Sequence, residues 1–357
     1  MPAPERVLVF EFISAHGLGA DESAGQLSTA ANPTSTGEGE SLLQQGMAMR
    51  DAIVADLIAA GGYEIGVTTS DAAPFAASDP TAPCTTLTVL AGESPAAFLT
   101  RLAPLFDHVW VVAPETDGIL AHLCRVVGPR RWVGCSEDAI VICSSKRATR
   151  DALAAHGIAV PAAWQAGEAA PQTDGAWIVK PDAGAGTQDT RRHARFADAR
   201  ADFDARRRAG RSATLERWVE GEPLSLSLLC RSDRTELLSI NRQRIELAVD
   251  GTLSYHGVDT DIEPTGSHRG GQLAELARRI RAAMPGLAGF VGVDLAWTPE
   301  GRPVVIEINP RPTCAYVGLS RRLGRNLAAD ILAGREPRPA SSPIVRASEE
   351  AVTEQTA

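Results

Sequence analysis

Residues 289–312 read GFVGVDLAWTPEGRPVVIEINPRP. Two apolar runs flank TPEGRP, and Pro299–Gly301 is turn chemistry, so the stretch predicts an antiparallel hairpin. Side chains two apart share one face of a strand, so Glu307, Asn309 and Arg311 point the same way as long as the chain stays extended. Across the hairpin, Asp294 can face that side too. Two carboxylates and an amide oxygen are hard ligands of the kind Mg²⁺ takes, with phosphate oxygens completing its shell. Arg311 beside them would repel a bare metal but suits a site that also holds phosphate. The plainer alternative is a solvated hairpin end with a surface ion pair. The apolar run VGVDLAW around Asp294 weighs against it.

Upstream, AWIVK is a strand ending on Lys180 and followed by PDAGAGTQDT. A loop with Gly184, Gly186 and Thr187 can aim backbone N–H groups at phosphate oxygens, although no GK[ST] follows and this is not a Walker A loop. The chain has 35 Lys and Arg residues, and only Lys146 and Lys180 are lysine. A lysine carries a compact ammonium where an arginine carries a wide fork, so these two are candidates for places where the fork would not fit, chance survival being the plainer alternative. Lys146 lies in SEDAIVICSSKRATRDALAAHGIAVPAAW, which predicts one helical segment stopped by Gly157 and Pro161. LERWVEGEP, from Leu215 to Pro223, is a strand end and turn. The backbone of Arg217 to Val219 could meet an adenine edge, and Glu222 could accept from ribose hydroxyls. The bland reading of this stretch alone is an acidic hairpin turn.

The order Lys146, Lys180 with a glycine loop, Glu216 and Glu222, Asp294, then Glu307-x-Asn309-x-Arg311 resembles the ATP-grasp superfamily of carboxylate–amine ligases, over about residues 136 to 330. The resemblance implies the ATP-grasp fold, α/β and α+β in class, with ATP between two subdomains and an N-terminal α/β domain helping to bind substrate. It implies Lys146 and Lys180 on the ATP phosphates, the segment of Glu216, Trp218 and Val219 as the adenine hinge, and Asp294, Glu307 and Asn309 on two Mg²⁺ ions, Mn²⁺ being the alternative metal. Arg311 would steady the transferring phosphoryl group or the acyl oxyanion, with Lys180 as the second catalytic residue. One departure is Val293, where many relatives carry an arginine. Arg242 or Arg244 in SINRQRIEL could supply that charge.

The N-terminal part alternates strand and helix signals: RVLVFEFI, the helical SLLQQGMAMRDAIVADLIAAG ending on Gly61–Gly62, YEIGVTTSD, CTTLTVLAG, SPAAFLTRLAPLF and DHVWVVAPE. Such alternation predicts a mostly parallel sheet. Expected boundaries are an α/β domain over 1–135, ATP-grasp subdomains over 136–215 and 216–335, and a disordered tail over 336–357. RVLVFEFIS, the segment from Glu38 and LLSINRQ resemble tyramine–L-glutamate ligases of methanofuran biosynthesis, which implies a small carboxylate, glutamate, and an amine, tyramine or tyrosine. Other readings are a glutamyl or amino-acid ligase with a pterin, protein-terminus or dipeptide acceptor, and a non-catalytic nucleotide-binding regulator.

The net charge is -9, with arginines scattered among acids, which argues against a nucleic-acid partner. No apolar run approaches a membrane span, and the first residues lack a signal-peptide pattern, so a cytoplasmic protein without membrane contact is expected. Six cysteines without zinc spacing read as free thiols. The family resemblance leaves a homodimer open. Histidines such as His256 read as ordinary surface residues.

Overall fold

Strand β1 (Glu5–Glu11) is apolar and fully buried from Val7 to Phe10, as expected of a strand covered on both faces. It stops at Glu11, two residues before the apolar run ends. There the carboxylate accepts the N–H groups of Ser14 at 2.7 Å and Ile13 at 3.2 Å, starting α1 (Phe12–His16). The computed structural model describes residues 3–16, 36–77, 79–171, 175–184 and 187–335. The expected tail over 336–357 and Gly186 lie outside them. Helix α2 (Thr36–Ala60) leads through Gly61 and Gly62, both at positive φ, into β2 (Tyr63–Thr69) and β3 (Cys84–Thr88). Then come α3 (Pro95–Leu102), β4 (His108–Val112), α4 (Ile119–Val127) and β5 (Trp132–Val133). The strands form a parallel sheet in the order β3-β2-β1-β4-β5. Chain order reverses between β1 and β4, and the carboxyl ends at such a switch are where ligands gather in α/β sheets.

The segment expected as one helix is two, α5 (Glu137–Ser144) and α6 (Lys146–Ala155). Ser145 breaks it by leaving helical geometry and capping α6, its hydroxyl accepting Ala148 N–H at 3.1 Å. A small antiparallel sheet follows. It comprises β6 (Ala163–Trp164), β7 (Trp177–Pro181), β8 (Arg191–His193) and, after α7 (Phe196–Arg208), β9 (Ala213–Arg217), in the order β6-β9-β7-β8. Its own core is Trp164, Trp177, Val179, Phe203 and Leu215.

A larger antiparallel sheet is built from β10 (Glu222–Cys230), β11 (Thr235–Leu247), β12 (Leu253–Glu263), β13 (Gly289–Trp297) and β14 (Pro303–Asn309), in the order β12-β11-β10-β13-β14. Helix α8 (His268–Ala283) covers one face, packing Leu273, Ala277 and Ile280 with Leu224, Leu226, Val293 and Ile308. Alternation then sends Ser225, Asn241, Asp294 and Glu307 to the opposite face, where they stand in one cross-strand row: Asn241 opposite Ser225, Ser225 opposite Asp294, Asp294 opposite Glu307. A slip of one residue would exchange the two faces, so the apolar pattern fixes the register of the polar row.

The β11–β12 hairpin reaches beyond its own sheet to the edge of the small one. Gly251 O accepts Arg192 N–H at 2.7 Å, and Thr190 O accepts Leu253 N–H at 3.1 Å. A Cβ on Gly251 would lie 2.1 Å from Arg192 O, and its φ of +89° is itself a glycine conformation. After β14 the chain passes Tyr316, whose hydroxyl donates to Asp56 of α2 at 2.7 Å, and ends in α9 (Leu319–Leu323) and α10 (Leu327–Ala333). Thr313–Gly318, a stretch without a sequence-level role, thus ties the large sheet to the N-terminal domain.

Candidate active site

The predicted hairpin is present, turning through Gly301 at φ +73°. Asp294 and Glu307 stand directly opposite one another on β13 and β14, and Asn309 donates its amide N–H to Asp294 Oδ2 at 3.2 Å. Burial, and next the charge of Glu307, push the Asp294 carboxyl up to about 7. A divalent cation between the two carboxylates would remove that conflict, so the residues fit a hard metal. Among the described residues no group of three or more His, Cys, Asp or Glu is clustered for a metal. An ion here would rely on Asp294, Glu307, the Asn309 amide oxygen and the phosphates of its ligand.

Lys146 opens α6 on the other side of this corner. Its ammonium lies 3.3 Å from Glu307 Oε1 and donates to Gly184 O at 2.8 Å. Asp182 sets that placement, since it accepts Ser145 Oγ–H at 2.8 Å and Arg147 N–H at 2.9 Å, capping the helix that carries the lysine. The first glycine of the loop, Lys146 and Glu307 are therefore brought together. Thr187 lies in the following turn.

Lys180 is the penultimate residue of β7 and Glu216 lies on β9, diagonally across the pair, with Nζ and Oε2 at 2.8 Å. The sequence puts Glu216 in the adenine hinge, whereas the register turns it inward to hold Lys180. In that hinge the N–H groups of Arg217 and Trp218 already bond to Ala162 O at 2.7 Å and Ala176 O at 3.0 Å. An adenine edge meeting this segment would therefore find its donor at Val219. Trp218 lies under the Arg192 guanidinium, 5.4 Å from ring centroid to Cζ. Glu222 is gripped by Arg242 at 2.8 Å and Arg269 at 2.9 Å. Burial works to raise this carboxyl, and the two arginines overcome it and hold it below the ordinary range. Arg242 is paired with Glu222 and Arg244 with Asp259. His256 is half exposed and paired with Glu246 at 3.1 Å, a surface residue.

Arg311 departs from expectation most. β14 ends at Asn309, so extension does not persist to Arg311, and its guanidinium turns to the N-terminal domain. Nε lies 2.9 Å from Glu115 Oε1, Nη2 donates to Glu115 Oε2 at 3.0 Å, and Nη1 donates to Pro312 O at 3.2 Å. Glu115 is missed by motif reading. The available signal is an acid just past the carboxyl end of a parallel strand, DHVWVVAPE, beside the switch between β1 and β4. Among the described residues no helix is long and apolar enough to cross a membrane.

Residues 143–315 match the family model described as an ATP-grasp domain, and residues 66–140 match the pre ATP-grasp 3 domain. An ATP-grasp superfamily protein from Archaeoglobus fulgidus has the same fold at TM-score 0.60 and 22% identity, over 92% of this chain and 88% of that one. An L-amino acid ligase from Bacillus licheniformis aligns at TM-score 0.62 and 15% identity, over 93% and 74%. D-alanine–D-alanine ligase from Bacillus anthracis aligns at 0.57 and 14%, over 92% and 96%. No curated protein matches the chain. The fold is ATP-grasp, preceded by the parallel-sheet domain.

Proposed function

We propose that this ATP-grasp chain joins a carboxyl group of glutamate to the amine of tyramine or tyrosine, building a methanofuran- or methylofuran-type cofactor. It is an ATP-dependent enzyme that forms C–N bonds and releases ADP and phosphate, acting on a small carboxylate and a small amine. The observation that carries the reading is the corner where Asp294, Glu307 and Asn309 meet Lys146 and the glycine loop.

A substrate carboxylate oxygen attacks the γ-phosphorus of ATP. The new O–P bond forms as the bond to the β–γ bridging oxygen breaks, giving an acyl phosphate and ADP. The uncharged amine then adds to the acyl carbon, the C–O bond to phosphate breaks, and the surplus proton passes to water. Asp294, Glu307 and Asn309 would hold Mg²⁺, which neutralises charge on the β- and γ-phosphates when bound. Lys146, poised between Gly184 O and Glu307, exchanges those partners for phosphate oxygens. Lys180, fixed by Glu216, presents its charge without a change of rotamer. Val219 and Trp218 take the adenine side, and Glu222, fixed by two arginines, stands at the ribose end. Positioning and charge neutralisation account for the rate, as in other phosphoryl transfers, and no side-chain nucleophile is needed.

The test is ADP release by the purified protein with Mg²⁺, ATP, glutamate and tyramine or tyrosine, followed by mass spectrometry of the amide. Release that depends on both co-substrates is expected. A product only with another acceptor would move the substrate assignment, and ATP bound without turnover for any carboxylate–amine pair would replace the ligase reading with a regulatory one.

A further inference from the structure

The Glu115–Arg311 pair belongs to none of the sequence motifs. Glu115 follows β4 in the N-terminal domain, Arg311 follows β14 in the large sheet, and 196 positions separate them. Both side chains are nearly excluded from water, at 5% and 13% exposure. A buried ion pair adds little stability over apolar residues of similar size, so stability alone is a weak account of this one. Direction is what this pair supplies. Glu115 lies along the Nε/Nη2 edge, close to Nε and accepting from Nη2, and Pro312 O accepts one N–H of Nη1, which together set the plane of the guanidinium. Beside the Nε–H that faces Glu115 Oε1, one N–H on each terminal nitrogen is then left. The charge is near enough to oppose the rise of the Asp294 carboxyl.

We propose that Glu115 is a positioning residue: it holds Arg311 so that the two remaining N–H groups meet the oxygens of the transferring phosphoryl group. The proposal rests on the ligase reading above. It makes the N-terminal domain part of the phosphoryl site through one carboxylate, without touching the substrate.

The experiment compares Glu115→Gln, Arg311→Gln and the double variant. It measures amide formation and, by calorimetry, the binding of inorganic phosphate to the protein loaded with Mg²⁺ and ADP. Glu115→Gln is expected to lower kcat roughly 30-fold, with KM for ATP changed less than about twofold, the size of effect seen when a supporting partner of a site residue is lost. Its phosphate Kd should rise about tenfold. The double variant should be no worse than Arg311→Gln, because the two residues act as one unit. Wild-type kcat and phosphate affinity in Glu115→Gln, or a double variant that multiplies the two single losses, would overturn the proposal. If the wild type forms no amide with any pair, the ligase reading fails while the phosphate titration still decides on Glu115. If Glu115→Gln does not fold, equal phosphate affinity in Arg311→Gln and the double variant supports the proposal, and unequal affinity overturns it.

Discussion

The chain's two lysines are both buried and both paired with a glutamate, yet the two pairs are built differently. Lys180 and Glu216 sit on neighbouring strands of one sheet at 2.8 Å, with side-chain exposures of 5% and 3%. Lys146 and Glu307 come from a helix and a strand of different layers, lie 3.3 Å apart, and Glu307 keeps 15% exposure. The first pair is closed, held by the register of β7 and β9. The second is open, since Lys146 also bonds to the Gly184 carbonyl and Glu307 also faces Asp294. A closed pair supplies a fixed charge. An open pair can change partners when a ligand arrives.

The largest effect that separates them is on catalysis. Glu307→Gln should cut turnover roughly a thousandfold, about 4 kcal/mol of transition-state stabilisation, with the circular dichroism spectrum unchanged. Retained activity would remove the open pair from the chemistry. Next comes stability at the closed pair. Lys180→Met strands a buried carboxylate and should cost about 3–5 kcal/mol in denaturant unfolding. Lys146→Met should cost less, because Glu307 reaches water. The reverse ranking would break the comparison.

A third effect is pH-dependent. Asp294 holds a proton in the folded state at pH values where the unfolded chain has lost it. Metal-free stability should therefore decline as pH rises from the ordinary carboxylate range to about 7, and level off above it. Added Mg²⁺ should raise the melting temperature more at pH 8 than at pH 6, and Asp294→Asn should flatten the slope. A pH-independent Mg²⁺ shift would place the ion elsewhere. The smallest effect belongs to the hairpin that joins the sheets of the two pairs. Gly251→Ala meets Arg192 O and should destabilise by about 1–2 kcal/mol, with faster amide exchange at Arg192 and Leu253. Unchanged exchange there would show that the two sheets do not depend on this contact.

What the sequence disclosed follows from the range of each interaction. The β13–β14 hairpin was readable because turn chemistry and period-two alternation are local, and they suffice to set Asp294 opposite Glu307. The pairing of Lys180 with Glu216 needs the register of two strands whose paired residues are 36 positions apart, which no local pattern sets. Ser145 was readable in principle as an N-cap, but the apolar spacing continues through it and hides the break. Arg311 was misdirected because the strand was assumed to run two residues further than it does. Its partner Glu115 and the anchor of Tyr316 on Asp56 become visible only once the domains are packed together.

The burial of both lysines also makes the protein a reporter of its own state. With no lysine elsewhere in the sequence, an amine-reactive label has only the chain's amino terminus and two shielded side chains to find. Lys180, locked at both ends, should label at the rate of global unfolding. Lys146 should label whenever its contacts with Gly184 O and Glu307 open, and MgATP should slow it. The ratio of the two adducts in a single mass spectrum then reads local opening around Lys146 against unfolding, with no probe introduced by mutation.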